Sequence, residues 1–269
     1  MPVNVTVARD SEVTDLVPLA ELVLEVPVGD TAVPRLELAD WTVRYGLVAG
    51  ITTRQNGFSL GLWNGEPTEQ VSTRWRTLRR AFEPRFPTVV LGHQVHGTEL
   101  RWHEDVPPGW LQVDGIDAHA TRQKGVLLTV TAADCIPVYI AVPGSGIVAL
   151  VHAGWRGVAD NILEHTLGEI TRTAKVRFRD IVMHCGVGIC GNCYEVGSEV
   201  IERLTGRPAS GPGNVDLRSI LAGRARALGL SEVSISAYCT AHHNDRFFSH
   251  RQSKGSDGRL VAYLGMPLA

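Results

Sequence analysis

The stretch AADCIPVYIAVPGSGIVALVHAGWRG, residues 132–157, decides the reading of this chain. Two apolar, β-branched runs flank Pro143-Gly144-Ser145-Gly146, a turn in which glycine tolerates positive φ, so the stretch predicts a β-hairpin. With Gly144-Ser145 as the loop, Pro143 faces Gly146 and Pro137 faces His152. Cys135 lies two positions from Pro137 and therefore shares its face. Cys135 and His152 become diagonal neighbours, with Cα atoms about 7–8 Å apart and side chains able to converge. That spacing suits a shared metal or a thiol–imidazole pair. A lone strand cysteine is usually a small buried hydrophobe, and a lone histidine is usually structural. Two of them converging beside Gly154-Trp-Arg-Gly157 is the sharper signal.

Further histidines stand upstream in VVLGHQVHGTEL, at His93 and His96. Three positions apart in one strand, they point to opposite faces, so at most one reaches the Cys135/His152 face; spacing does not choose between them. One cysteine and two histidines make a three-ligand set for zinc, with a fourth position open to water, which is the catalytic pattern.

Outward from the hairpin, strands are predicted over 43–52, 88–91, 125–131, 181–185 and 232–237, besides 136–142 and 147–152. Helices are predicted over 69–82, 160–173, 199–204 and 217–228, the last capped by Asp216 and stopped by Gly229. Strands outnumber helices and many neighbours could be hairpins, so the fold class is α+β with a mixed sheet. Residues 1–45 are expected to hold a short helix and edge strands, and the eight-residue run 206–213 is a surface loop.

Bulk properties narrow the function. The chain has 269 residues, 44% hydrophobic and 20% charged, with a formal net charge of −2. That balance gives no field to attract nucleic acid or an anionic membrane. The start, MPVNVTVARDSEVTDL, has neither a basic head nor a long apolar run, and no apolar stretch approaches a membrane span, so a cytoplasmic protein is expected. Its five cysteines are an odd count for a disulfide framework and imply reduced thiols. Cys190-Gly-Asn-Cys193, taken with Cys185 and Cys239, is not a standard zinc ribbon and reads as strand-end cysteines near a turn. His242-His243 reads as part of a solvated loop.

Taken together, the motifs resemble the YfiH-type or laccase-domain family, variously described as polyphenol oxidase, purine nucleoside phosphorylase and peptidoglycan editing factor. The matching residues are Gln94-Val-His-Gly97, Thr131-Ala-Ala-Asp-Cys-Ile-Pro137, Val151-His-Ala-Gly-Trp-Arg-Gly157, Cys193-Tyr-Glu-Val-Gly197, Val215-Asp-Leu-Arg218 and Phe247-Phe-Ser-His-Arg251. They run in family order over about residues 45–265, which implies one laccase-type domain over 1–269 with a variable segment at 1–45. The resemblance assigns the family's metal triad to His96, Cys135 and His152, as catalytic centre and zinc site, with copper as an alternative metal. It implies helices layered outside two packed mixed sheets, α/β/β/α. It also implies phosphorolysis of purine nucleosides such as adenosine and inosine, with some members deaminating adenosine.

The chain departs from the family at Leu60-Gly61-Leu62-Trp63, with Asn64 displaced, at Arg74-Trp75, at Gly186-Val-Gly-Ile-Cys190, and at His119, where an apolar residue is usual. Arg156 and Arg54 are candidate phosphate ligands, since a guanidinium grips oxyanions bidentately and Arg156 follows a turn into a helix. The expected partners are a purine nucleoside and phosphate, and the expected state is a monomer or weak homo-oligomer. A four-copper laccase needs roughly ten His, largely in His-x-His pairs, and a Cys. This chain has ten histidines in all and no His-x-His. A hydrolase with Cys135 as nucleophile and His152 as base, cleaving an amide of a peptidoglycan precursor, is the alternative chemistry.

Overall fold

The structure is a computed structural model and describes residues 20–29 and 32–269. Strands β10 (Ile136–Val142) and β11 (Ile147–Ala153) pair antiparallel with Pro137 opposite His152, the register the hairpin predicts. Gly146 adopts φ +58 and closes the turn. All fourteen positions of the two strands are buried, because both faces of this sheet are covered.

The hairpin is the centre of a seven-stranded mixed sheet. Its order is β1 (Glu21–Val23), β15 (Glu232–Ser236), β12 (Val182–Cys185), β10, β11, β8 (Ala118–Thr121) and β6 (Leu100–His103). A second seven-stranded sheet runs β2 (Val26–Pro27), β3 (Arg35–Glu37), β4 (Val48–Thr52), β16 (Leu260–Gly265), β9 (Val126–Ala132), β5 (Thr88–His93) and β7 (Gly109–Asp114). A short ribbon joins β13 (Glu195–Val196) to β14 (Gly213–Asn214).

Side-chain alternation assigns the layers. Ile136, Val138 and Ile140 face the helices α3 (Trp155–Ala159), α4 (Ile162–Ala174), α5 (Ser198–Thr205) and α6 (Leu217–Leu228), through Val158, Leu163, Leu204 and Leu221. Tyr139, Ala141, Val148 and Leu150 face the second sheet, against Leu128, Val130 and Ala262. The outer face of that sheet is covered by α2 (Thr68–Phe82) through Val71, Trp75, Leu78 and Phe82. This is the α/β/β/α layering the resemblance implies.

Asp216 caps α6 by accepting from the Arg218 and Ser219 N–H groups, and Gly229 ends it in the left-handed conformation, as the sequence indicates. The structure departs from the sequence reading at four places. The strand expected from residue 43 begins at Val48, because α1 (Ala39–Tyr45) buries Trp41 and stops at left-handed Gly46. The helix expected over 160–173 is α4, but the short helix α3 that precedes it, set off where Asn161 takes φ +64, was not anticipated. Strands β6 to β8 were not anticipated, because β7 is an exposed edge and buried His103 and His119 break the apolar pattern of β6 and β8. Nor was β16, which pairs β4 with β9. The helix α7 (His250–Ser253) follows the Phe247-Phe-Ser cluster. The edge strands and short helix expected in 1–45 are present where residues are described; residues 1–19 lie outside the described residues.

Candidate functional site

Where β10 and β11 meet the ends of β5 and β9, a cavity of about 580 Å³ opens, with His96, Cys135 and His152 on its wall. Their ligand atoms all lie within 4.8 Å of one another. The Cys135 Sγ is 3.9 Å from His96 Nε2. The two imidazole rings meet edge-on, with centroids 4.9 Å apart. Three segments supply the three groups: the hairpin sets Cys135 beside His152, and only the packing of the two sheets adds His96.

Asp117, which the sequence reading did not single out, organises the group. Its buried carboxylate lies 2.8 Å from His152 Nδ1 and accepts from the backbone N–H groups of Val95, His96 and Gly97 at 2.9–3.1 Å. Those bonds hold the turn in which His96 takes φ +61, a conformation unusual for a residue with a side chain. With Nδ1 engaged, His152 presents Nε2 to the cavity. Gln94 clamps the same turn to β9, its carbonyl accepting from Thr131 N at 2.7 Å and its amide donating to Thr131 O at 2.8 Å. His93, the other candidate, instead stacks on Trp63 with ring centroids 4.5 Å apart.

Electrostatics follow from this packing. Burial pushes the Cys135 thiol up, but the charge and hydrogen bonding of His152 and His96 outweigh it and bring it down to about 6. Burial pushes His152 down, but Cys135 and Asp117 outweigh it and raise it to about 9. Burial would raise Asp117, yet the His152 bond and charge and the Gly97 and Val95 N–H groups hold it below the usual carboxylate range. The site therefore favours a thiolate beside a cation, which is also what a metal ion would supply.

The backbone leaves room for such an ion. A Cβ on Gly154 would sit 2.8 Å from the His96 ring and 3.1 Å from Cys135 Sγ. The donor set, one thiolate and two imidazoles with Asp117 orienting one ring, fits a divalent metal of the zinc kind.

Arg156 lines the cavity, with its guanidinium over the Trp155 ring at 4.7 Å. Its helix α3 has only five residues, so the anion affinity expected of a helix start gains little. Arg54 does not line the cavity: it donates to Asn244 O at 2.9 Å, pairs with Asp257 at 3.5 Å, and lies over Phe248. Arg251 and Arg259, which the sequence reading passed over as phosphate ligands, line the cavity instead, with Tyr194, Trp63 and Asn64. Gly61 allows Asn64 in, since a Cβ there would lie 2.5 Å from the Asn64 amide. Arg74, at another of the departures from the family, does not line the cavity and pairs with Glu66 at 3.0 Å.

The cysteines separate. Cys185 is buried in β12, where desolvation pushes its thiol up to about 12. Cys190, Cys193 and Cys239 gather elsewhere with His242 and without Cys185, and His242 is exposed in a turn, as its reading as part of a solvated loop expects. Among the described residues no helix is long and apolar enough to cross a membrane.

Comparison with known proteins agrees with this architecture. A purine nucleoside phosphorylase YlmD of Geobacillus stearothermophilus is 32% identical over 249 residues, 82% of this chain and 90% of that protein. The crystal structure of YlmD from the same organism superposes with a TM-score of 0.81 at 28% identity, covering 90% of this chain and 98% of that one. An adenosine deaminase RL5 from an unknown prokaryotic organism is 33% identical over 160 residues, 55% of this chain and 61% of that protein. Residues 48–267 match the family model for the multi-copper polyphenol oxidoreductase laccase, and the chain belongs to that family.

Proposed function

We propose that this chain is a cytoplasmic purine nucleoside phosphorylase that holds one zinc ion on His96, Cys135 and His152. The observation that carries the reading is the convergence of these three ligand atoms within 4.8 Å on the wall of a cavity of nucleoside size. A zinc ion there would supply Lewis-acid stabilisation of charge developing on substrate oxygen.

The chain's own residues do the rest. Arg156, with Arg251 and Arg259, gathers phosphate, because three arginines lining one cavity can match a dianion. Trp63 and Tyr194 offer flat apolar surface to the purine. A phosphate oxygen attacks the anomeric carbon, the C–N glycosidic bond breaks, and the base leaves with the bonding pair and takes up a proton. Products are free base and ribose 1-phosphate. The relatives' names support this substrate class, and the adenosine deaminase among them supports water as a second nucleophile. A four-copper oxidase lacks support, since the triad has three ligands and the chain no His-x-His.

A thiol hydrolase acting on peptidoglycan precursors is the second reading, favoured by the lowered Cys135 thiol beside a raised His152. One assay separates the two. Inosine, adenosine and muramyl-amino acid substrates are offered with and without phosphate. Base release that requires phosphate is expected; equal release without phosphate would overturn phosphorolysis. His96→Ala should cost metal and activity together, whereas a Cys135/His152 dyad would keep much of its rate.

A further inference from the structure

Outside the cavity's triad, the described residues hold a second group of soft ligands. Cys190, Cys193, Cys239 and His242 offer ligand atoms that all lie within 4.8 Å of one another. In sequence these are two half-motifs, Cys190-Gly-Asn-Cys193 and Cys239-Thr-Ala-His242, each with two residues between its ligands. We infer that these four residues form a closed Cys₃His zinc site with a structural role.

The chemistry of the donors selects the ion. Three thiolates and one imidazole in a compact group match tetrahedral zinc, and four protein ligands leave no position for substrate. Tetrahedral Zn–S bonds of about 2.3 Å place neighbouring ligand atoms about 3.8 Å apart. Cys190 Sγ and His242 Nδ1 are already 3.6 Å apart. Cys239 Sγ also accepts the Cys190 N–H at 3.3 Å, a bond that stabilises a thiolate.

The backbone is built around this geometry. The Cys193 N–H closes a tight turn on Cys190 O at 3.0 Å. Gly188 and Cys239 bridge in parallel, and the Thr240 N–H donates to Gly188 O, so the two half-motifs lie side by side. Buried Arg218 donates to Ser236 O and Tyr238 O and fixes the lead into Cys239. Cys239 is buried and Cys190 and Cys193 are half-buried, while His242 is exposed, which puts the site just beneath the surface.

Its position gives it a task. Thr240, between the ligands Cys239 and His242, donates to Asp134 Oδ1 at 2.6 Å. Asp134 holds φ +88 next to Cys135, and Tyr194, next to Cys193, lines the cavity. A zinc ion here would pin together the tips of two adjacent loops, 190–194 and 238–242, that support Cys135 and line the cavity.

Metal content tests this independently of turnover. Chain purified under reducing conditions from zinc-supplemented culture should carry about two zinc equivalents. The His96→Ala/Cys135→Ala double variant should keep about one, and adding Cys193→Ser should remove it. His242→Ala in the otherwise natural chain changes an exposed side chain and should release one of about two equivalents while circular dichroism stays native. Cobalt exchanged into the double variant should give thiolate-to-cobalt charge-transfer absorption, lost on Cys193→Ser. Three results would each overturn the inference: no metal in the double variant, iron in place of zinc, or a disulfide among Cys190, Cys193 and Cys239 in the non-reduced mass.

Discussion

The Asp117 carboxylate lies 2.8 Å from His152 Nδ1, with both side chains buried, and the same carboxylate gathers the N–H groups of residues 95–97. One side chain thus orients two of the three clustered groups, His152 through its ring and His96 through its backbone. Asp117→Asn keeps the shape but turns one acceptor atom into a donor facing those N–H groups. Metal affinity should fall about 10–100-fold, read by competition with a chromophoric chelator. Unchanged affinity would remove Asp117 from this role.

Gly154 has an ordinary φ of −79, so alanine there is not strained by the backbone. Its methyl would nevertheless press on His96 and Cys135. Gly154→Ala should lower the melting temperature only modestly, since overpacking a buried contact costs about 1–3 kcal/mol. Misplacing these groups by about 1 Å should cost on the order of a hundredfold in kcat/KM. Full activity in a variant whose crystal structure shows the triad undisturbed would refute the argument.

Arg156 and Arg54 should separate kinetically. Arg156→Ala removes a guanidinium from the cavity wall and should raise the KM for phosphate about tenfold to a hundredfold, since a charge-assisted hydrogen bond is worth about 1.5–3 kcal/mol. Arg54→Ala breaks the Asp257 pair and should leave the KM for phosphate alone, with any loss appearing in thermal stability. The opposite pattern would restore Arg54 as the phosphate ligand.

His103 and His119 form a buried pair, with His103 Nε2 and His119 Nδ1 2.9 Å apart. Burial lowers them to about 4 and about 3, with Arg101 adding to the effect at His103 and His103 at His119. Both pKa values fall on folding, so below about pH 6.5 the unfolded chain binds more protons than the folded one. Their contribution is complete above that pH and is lost as pH falls toward about 4, with a limiting slope of about 1.4 kcal/mol per pH unit for each histidine. Urea titrations across this range measure it. His103→Leu/His119→Leu should flatten the acid limb, and an unaltered limb would assign it to other groups.

The hairpin and much of the site were legible in the sequence because they depend on local periodicity. The turn at 143–146 sets the Pro137/His152 register, and side-chain alternation then places Cys135 on the face of His152. Asp216 and Gly229 mark the ends of α6 through local backbone chemistry. The choice of His96 over His93 came from the resemblance, since spacing alone left it open, and the packing agrees with it by turning His93 onto Trp63. What depends on chain segments far apart had no local signature. Asp117 sits in an unpredicted stretch, and its value lies in three N–H groups some twenty residues away. Arg54 and Arg251 look alike as arginines, and only the sheet packing turns one toward Asp257 and the other to the cavity. Cys239-Thr-Ala-His242 carries no signal of its own in the sequence, and pairing it with Cys190-Gly-Asn-Cys193 needed the Gly188–Cys239 bridge. Sequence determines which face a side chain takes along its own strand; which distant faces meet is decided by burying both sides of two sheets at once.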